Sequence, residues 1–410
     1  MTRGRIWSAL GVLVLALVFL AAACGGDDEP EEAGGTTTAA EEGEEAAGPI
    51  VIGAAVDLTN QMAPFDGPAI GAAQIQADKL NAEGGVDGRQ FQIEVVDTQL
   101  DPEQTKSAAI DLIENQNAEI LLVTCDVDYA TPAVQEAITR GVLAVSMCIG
   151  TDQMSPKRFG EEGKLAFTLG NAAQDEGAAM AEYAIEQGWT RAAIAKDNVI
   201  VYFQNVVDAF KQRFEEEGGE VVVEESWTNG DGTIGNVASS LADADVDVIA
   251  TSTAFDDLPA LVSGVRSLNN DTPFICSWSC DGTYWNPQGL SNFYLVTYAS
   301  VAGDDPSDEV KQLIQDMTAA DQAPGTGGFL GGAATIDALA AAIEQTGGTE
   351  GEALAEAFEG FDGQPTISGE ISFSPELHAV SGREYRVMEI QDGKLSFVEL
   401  RAASSPAELR

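Results

Sequence analysis

Asn81-Ala82-Glu83-Gly84-Gly85-Val86-Asp87-Gly88-Arg89 decides how this chain folds. The stretch lies between an amphipathic helical pattern over 69–81 and a β-rich run over 91–96. Gly84, Gly85 and Gly88 permit left-handed backbone angles that other residues reach only with strain, so a helix can stop there and the chain can reverse. The following strand then returns beside the one that fed the helix, as in a βαβ unit. Ile50-Val51-Ile52-Gly53 supplies that first strand.

Working outward, short β-rich runs alternate with longer helical ones, the pattern of an α/β fold with parallel sheets. Strands are predicted over 50–56, 92–97, 119–124 and 142–146, with helices over 69–81, 102–115 and 132–140. Asp101-Pro102 reads as an N-cap followed by proline at the first helical position. A second set follows, with strands over 192–195, 220–225, 246–250 and 273–276 and helices over 175–187, 202–217, 234–241 and 257–268. The pattern changes near 295–301. Helices are predicted over 308–320, 331–345 and 350–359, then β-like runs over 369–374, 385–391 and 395–400, with a hairpin signal at Asp392-Gly393.

The amino-terminal segment does not read as fold. Arg3 and Arg5 precede an apolar run over 6–23, the layout of a secretory signal. Leu20-Ala21-Ala22-Ala23-Cys24 resembles a lipobox, which makes 1–23 a signal peptide and Cys24 the lipidated first residue of the mature chain. Residues 24–48 carry nine acids and almost nothing to bury, so they read as a solvated tether. About 360 residues remain, more than a single core usually holds, and two lobes are expected. The formal charge of −47 disfavours nucleic acid, whose phosphates need clustered Lys and Arg. It also disfavours electrostatic adsorption to anionic lipid, leaving a covalent lipid as the expected membrane link.

Cys125, Cys148, Cys276 and Cys280 follow the lipidation cysteine. Export exposes them to oxidising conditions, and four thiols allow three pairings. Cys125 and Cys148 each close an apolar run, and neighbouring parallel strands would bring those ends together. Cys276 and Cys280 flank one short loop. Cys125–Cys148 and Cys276–Cys280 are therefore the expected disulfides. A metal site is the rival, weakened by the absence of regular CxxC spacing and of histidine ligands.

In wording and spacing the chain resembles the branched-chain amino acid-binding family of type I solute-binding proteins of ABC transporters. The matching features are the 81–89 stretch, Asp97 with Asp101-Pro102, Asp197 upstream of Tyr202, Val265-Arg266-Ser267 and Gly369-Glu370-Ile371-Ser372-Phe373. The resemblance implies two Rossmann-like α/β lobes joined by a three-crossover hinge. Residues 50–169 and 302–368 would form one lobe, 170–301 and 369–402 the other. It further implies a monomeric receptor on the outer face of the cytoplasmic membrane, feeding an ABC permease and ATPase and needing no cofactor. A sensor or co-receptor subunit using the same cleft is the alternative.

Ligands of open α/β sheets bind beyond the carboxyl ends of the strands. That rule selects loops 57–66, 97–100, 125–129 and 148–152 in one lobe and 197–203, 252–256 and 277–285 in the other. The loops contain Phe65, Tyr129, Tyr202, Phe203, Phe255, Trp278, Tyr284 and Trp285, and aromatic walls with few polar groups suit a small-molecule cleft. By resemblance, Asp281 matches the acid that meets a ligand ammonium, Tyr202 the tyrosine beside it, and Thr151 a hydroxyl for the ligand carboxylate. Thr59, Phe65, Asp126, Tyr129 and Trp278 complete the expected ligand-binding set.

One departure from the family matters. A serine-rich loop is replaced by Cys125-Asp126-Val127-Asp128-Tyr129. A ligand carboxylate desolvated beside Asp126 or Asp128 would meet repulsion of several kcal/mol at an effective dielectric of about 20. Either those acids cap the next helix, or the ligand is cationic, amide-bearing or neutral. Catalysis is not expected: the lone histidine, His378, lies in the tail, far from the predicted cleft loops, and no GxSxG, HExxH or Walker-type loop occurs.

Overall fold

The structure, a computed structural model, describes residues 48–408. The expected signal peptide, Cys24 and all of the tether but Gly48 lie outside the described residues. No helix among the described residues is long and apolar enough to cross a membrane.

The first half runs β1 (Ile50–Val56), α1 (Ala63–Glu83), β2 (Phe91–Asp97), α2 (Pro102–Glu114), β3 (Ile120–Val123), α3 (Val127–Thr139), β4 (Leu143–Ser146), α4 (Pro156–Phe159) and β5 (Ala166–Asn171). The second runs α5 (Ala173–Glu186), β6 (Arg191–Asp197), α6 (Val201–Glu216), β7 (Glu220–Trp227), α7 (Ile234–Asp243), β8 (Val248–Ser252), α8 (Asp257–Ser267), β9 (Phe274–Cys276) and β10 (Phe293–Thr297). Then come α9 (Asp308–Ala319), α10 (Phe329–Thr346) and α11 (Gly351–Glu359). The short strands β11 (Gln364–Thr366), β12 (Gly369–Ile371) and β13 (Ala379–Val380) lead to β14 (Tyr385–Gln391) and β15 (Lys394–Arg401).

The 81–89 stretch behaves as its glycines dictate. Gly84, Gly85 and Gly88 have φ of 121°, 76° and 77°, and Gly85 N–H closes the helix by donating to Leu80 O at 2.9 Å. Val86 and Arg89 then pair in a tight bridge. The Asn81 side chain donates to Phe91 O at 2.9 Å and accepts from Phe91 N at 2.8 Å, so the end of α1 is tied to the start of β2.

Two large sheets result, ordered β13-β5-β4-β3-β1-β2 and β15-β14-β10-β9-β8-β6-β7, with β11 and β12 paired separately. Each contains the same run of five parallel strands, in which the order reverses between its first and third members: β1 with β3, and β6 with β8. The strands read as continuous apolar runs because both faces are covered. Ile52, Leu122 and Val145 point into one cluster while Leu121, Val123 and Ala144 point into another. The inner cluster also takes Ile194 and Ala250 from the second sheet, whereas Ala193, Ala195 and Ile249 face its outer layer.

The chain passes between the sheets three times: from β5 to α5, from β10 to α9, and from β13 to β14. The resemblance puts the last change of lobe at 369, but Ala379 and Val380 still pair with β5. Arg383 braces this last passage. Its guanidinium donates to Ser368 Oγ at 2.7 Å, to Leu169 O at 2.8 Å and to Asn171 Oδ1, and lies 5.1 Å from the Tyr298 ring.

Two helices begin five or more residues earlier than their sequence pattern predicts. α1 starts at Ala63 with Pro68 inside it, and α3 starts at Val127 with Pro132 inside it. In the second case the Asp126 carboxylate caps the helix by accepting from Asp128 N and Tyr129 N, so the helix begins before the proline rather than at it. β5, β10, β11 and β13 have no predicted counterpart.

Candidate functional site

In sheets of this order, the loops at the reversal point diverge and leave a crevice beyond the strand ends. Here both crevices face one space. It is lined by Met62 and Phe65 after β1, Cys125 and Asp126 after β3, Ile200, Tyr202 and Phe203 after β6, Ala254 and Phe255 after β8, and Trp278 with Ser279 after β9.

Buried carboxylates hold these loops in place. Asp57 accepts from Thr59 N, Asn60 N and Met62 N at 2.9–3.2 Å. Asp66 accepts from Asp57 N, the Thr124 hydroxyl and Cys125 N at 2.5–2.8 Å, locking the β1 and β3 loops together, and burial pushes its pKa up to about 7. Asp197 does the same in the other sheet, accepting from Val199 N, Asn229 and the Thr253 hydroxyl.

Five aromatic side chains meet in the space. Phe65 stands edge-on to Trp278 with ring centroids 5.0 Å apart. Tyr202 lies 6.1 Å from Trp278 and 5.9 Å from Phe203, which in turn is 6.1 Å from Phe255. Phe255 is held at φ 58°, a conformation unfavourable for a bulky side chain, and such strain collects at functional sites. The rings leave a cavity of about 20 Å³, which admits no more than a water. The lobes are thus in contact, with Phe65 on one side and Trp278 on the other.

Beneath the rings sits a carboxylate that the sequence pattern did not single out. Glu176, in the first turn of α5, is wholly buried. Its Oε1 accepts from Trp278 N at 2.6 Å and its Oε2 accepts from the Tyr202 hydroxyl at 2.7 Å. Desolvation dominates these two donors and raises its pKa to about 8. The Trp278 indole N–H is buried and finds no partner among the described residues.

The structure gathers Phe65, Asp126, Tyr202 and Trp278 around this cavity and sets the other expected residues apart from its lining. Asp126 serves as the α3 cap, and burial followed by the neighbouring Asp128 charge lifts its pKa to about 7. Tyr129 is half-buried, and its hydroxyl pKa is raised by desolvation and by Asp126, Asp128, Asp197 and Asp57. Thr151 is buried, 3.4 Å from the Asn205 amide of the opposite lobe. Thr59 is exposed and donates to Asp97 at 3.0 Å. Asp281 is wholly buried and occupied by its own chain: it accepts from the Thr297 hydroxyl and Gly282 N at 2.6 Å, and from Gly327 N at 2.5 Å. Its pKa is raised by burial to about 6.

Both expected disulfides are present, Cys125–Cys148 with Cα atoms 4.9 Å apart and Cys276–Cys280 at 6.1 Å. The first two sulfurs and the Asp66 carboxylate lie within 4.8 Å of one another, but sulfurs bonded to each other are not the thiolates that hold a metal. His378 stacks on Phe167 at 3.9 Å and its Nδ1 lies 2.9 Å from Ala166 O, outside the cavity lining. Glu176 could have been suspected only from its place in an acidic first turn after a strand, and that strand, β5, gave no pattern of its own.

A family model described as periplasmic binding protein matches residues 49–394. A Leu/Ile/Val-binding protein of Rhizobium johnstonii is 22% identical over 360 residues, covering 85% of this chain and 94% of that protein. Among solved structures, the branched-chain amino acid transporter substrate-binding protein of Streptococcus pneumoniae, in complex with isoleucine, superposes with a TM-score of 0.75 at 18% identity. It covers 86% of this chain and 99% of that one. A solute-binding protein of an R. palustris ABC transporter, in complex with benzoate, gives 0.72 at 18% identity over 88% and 98% of the two chains.

Proposed function

Because the chain belongs to the periplasmic binding protein family over residues 49–394, a family of non-enzymatic solute binders, we propose that it captures a small polar solute, such as an amino acid, an amide or a related compound, between its two lobes. Hinge closure is the mechanism: a solute touching both lobes stabilises the closed form by its differential affinity for it. The observation that carries this reading is the meeting of loops from both sheet reversal points around one aromatic space. Phe65, Trp278, Tyr202 and Asp126 form the contact set, with Glu176 orienting Tyr202 and Trp278. Tyr129 stands beside the set. Asp128 accepts from Val201 N of the opposite lobe at 3.1 Å and Thr151 meets Asn205, so these two contacts form on closure. Asp281 ties the second lobe to the 302–328 connection through Gly327.

In this reading the receptor is exported, anchored through lipid on Cys24 at the outer face of the membrane, and delivers its solute as a monomer to an ABC permease and ATPase. The lobes are 50–169 with 302–368 and 170–301 with 369–402, except for the β13 strand. Mass spectrometry of compounds released on denaturing the purified protein tests the binding function. One stoichiometric small molecule, lost from a Phe65→Ala and Trp278→Ala double variant, is expected. A compound retained equally by that variant would place the site elsewhere. The mature amino terminus, read by the same method, would carry acyl chains on Cys24; an unmodified Met1 would remove the anchor.

A further inference from the structure

The solved neighbours hold isoleucine and benzoate, each bearing a carboxylate, yet the space between these lobes is built for the opposite charge. Among the described residues, no Lys, Arg or His lines it. Arg158, whose charge acts on Asp126, is itself bonded to Asp128 at 2.8 Å, to Gln153 at 2.9 Å and to Thr131 at 3.1 Å. Asp126 is among the residues that line the cavity, and Glu176 bonds directly to two of its walls. Tyr129 is set among Asp57, Asp126 and Asp128 of one lobe and Asp197 of the other. Burial holds Asp126 and Glu176 protonated up to about pH 7 and about pH 8. Once ionised they add negative charge at low dielectric that Arg158 only partly offsets, which an entering anion would meet and an entering cation would balance.

The walls supply the matching feature. Phe65, Tyr202, Phe203, Phe255 and Trp278 surround the space, and aromatic faces attract a cation through the ring quadrupole, most strongly when both are desolvated. The buried Trp278 indole N–H has no acceptor among the described residues, leaving one donor for a hydroxyl or carbonyl oxygen on the guest. The rings fill the space themselves in the closed form, so a guest enters only as Phe65 separates from Trp278.

Resting on the cleft reading above, we propose that the receptor takes an organic cation of the alkylammonium class, carrying a hydrogen-bond acceptor, between its aromatic walls and Asp126. Calorimetric titration of the full-length protein with choline, with choline's uncharged isostere (carbon in place of nitrogen), with leucine and with benzoate tests it. Choline is expected to bind at least about tenfold more tightly than the isostere. Trp278→Ala should abolish that preference, whereas Trp278→Phe, which keeps a π face, should retain part of it. An isostere that binds as well as choline overturns the cation reading, as does binding of leucine or benzoate alone. In either event the cleft itself stands if Trp278→Ala weakens that binding. Silence from all four compounds also overturns the cation reading. Choline binding unchanged in both Trp278 variants would instead overturn the cleft.

Discussion

Glu176→Gln isolates the energetics of the carboxylate beneath the cleft. The side chain is wholly buried and bonded to Tyr202 and Trp278 N, and its pKa moves from 4.5 to about 8, chiefly through desolvation. For an acid with a raised folded-state pKa, the folded chain holds a proton that the unfolded chain has lost between the two values, so stability falls as pH rises through that window. Each pH decade contributes about 1.36 kcal/mol, giving about 5 kcal/mol as an upper bound across the window. Glutamine matches the neutral acid in shape and cannot ionise. At about pH 5 the variant should unfold within about 1 kcal/mol of the parent, the size of one altered hydrogen bond. At about pH 9 it should be the more stable protein by about 2–5 kcal/mol, the lower figure allowing for relaxation around the ionised carboxylate. Urea unfolding followed by tryptophan fluorescence at both pH values measures the difference. Asp66, Asp126 and Asp281 also titrate upward, but they do so in both proteins and cancel. A variant-minus-parent difference that stays constant between the two pH values would refute the assignment of a neutral Glu176 at low pH.

Asp281→Ala removes the acceptor of three buried donors, Thr297 Oγ1, Gly282 N and Gly327 N, and should cost about 2–4 kcal/mol; an unchanged melting temperature would show that those donors find water instead. Gly332→Ala puts a β carbon against the backbone carbonyl of Ala69, forcing α10 off α1. It should destabilise by at least about 1–3 kcal/mol, and an unaltered urea midpoint would contradict the close helix approach. Replacing Cys125 and Cys148 together by alanine opens a loop with a sequence separation of 23. The loss should be about 3–4 kcal/mol on the chain-entropy account, and a parent whose midpoint is insensitive to reductant would argue that the pair is not bonded in solution.

What was legible in the sequence follows from how local the cause is. The 81–89 turn is encoded by its own glycines, and both disulfides follow from cysteines at the ends of apolar runs or flanking one loop. The α3 boundary was hidden because Pro132 marks a helix start more loudly than the Asp126 cap six residues before it. β5, Ala-Phe-Thr-Leu-Gly-Asn, is buried along its whole length, so it lacks the alternation by which half-buried strands declare themselves. Non-local wiring was invisible. The partners that occupy Asp281 come from 16 and 46 residues away, and Glu176 meets Trp278 across 102 residues. Sequence could thus gather Phe65, Tyr202 and Trp278 into cleft loops, while leaving open which acids face a ligand and which hold the loops.

The most direct test measures the gap itself. Spin labels introduced through unnatural amino acids at exposed Leu58 and Asp231, which follow β1 and β7 on opposite lobes, report the inter-lobe distance by pulsed electron resonance. Saturation with a solute whose binding calorimetry has established should collapse a broad distribution into one short, narrow distance. Identical distributions with and without bound solute would contradict capture by closure.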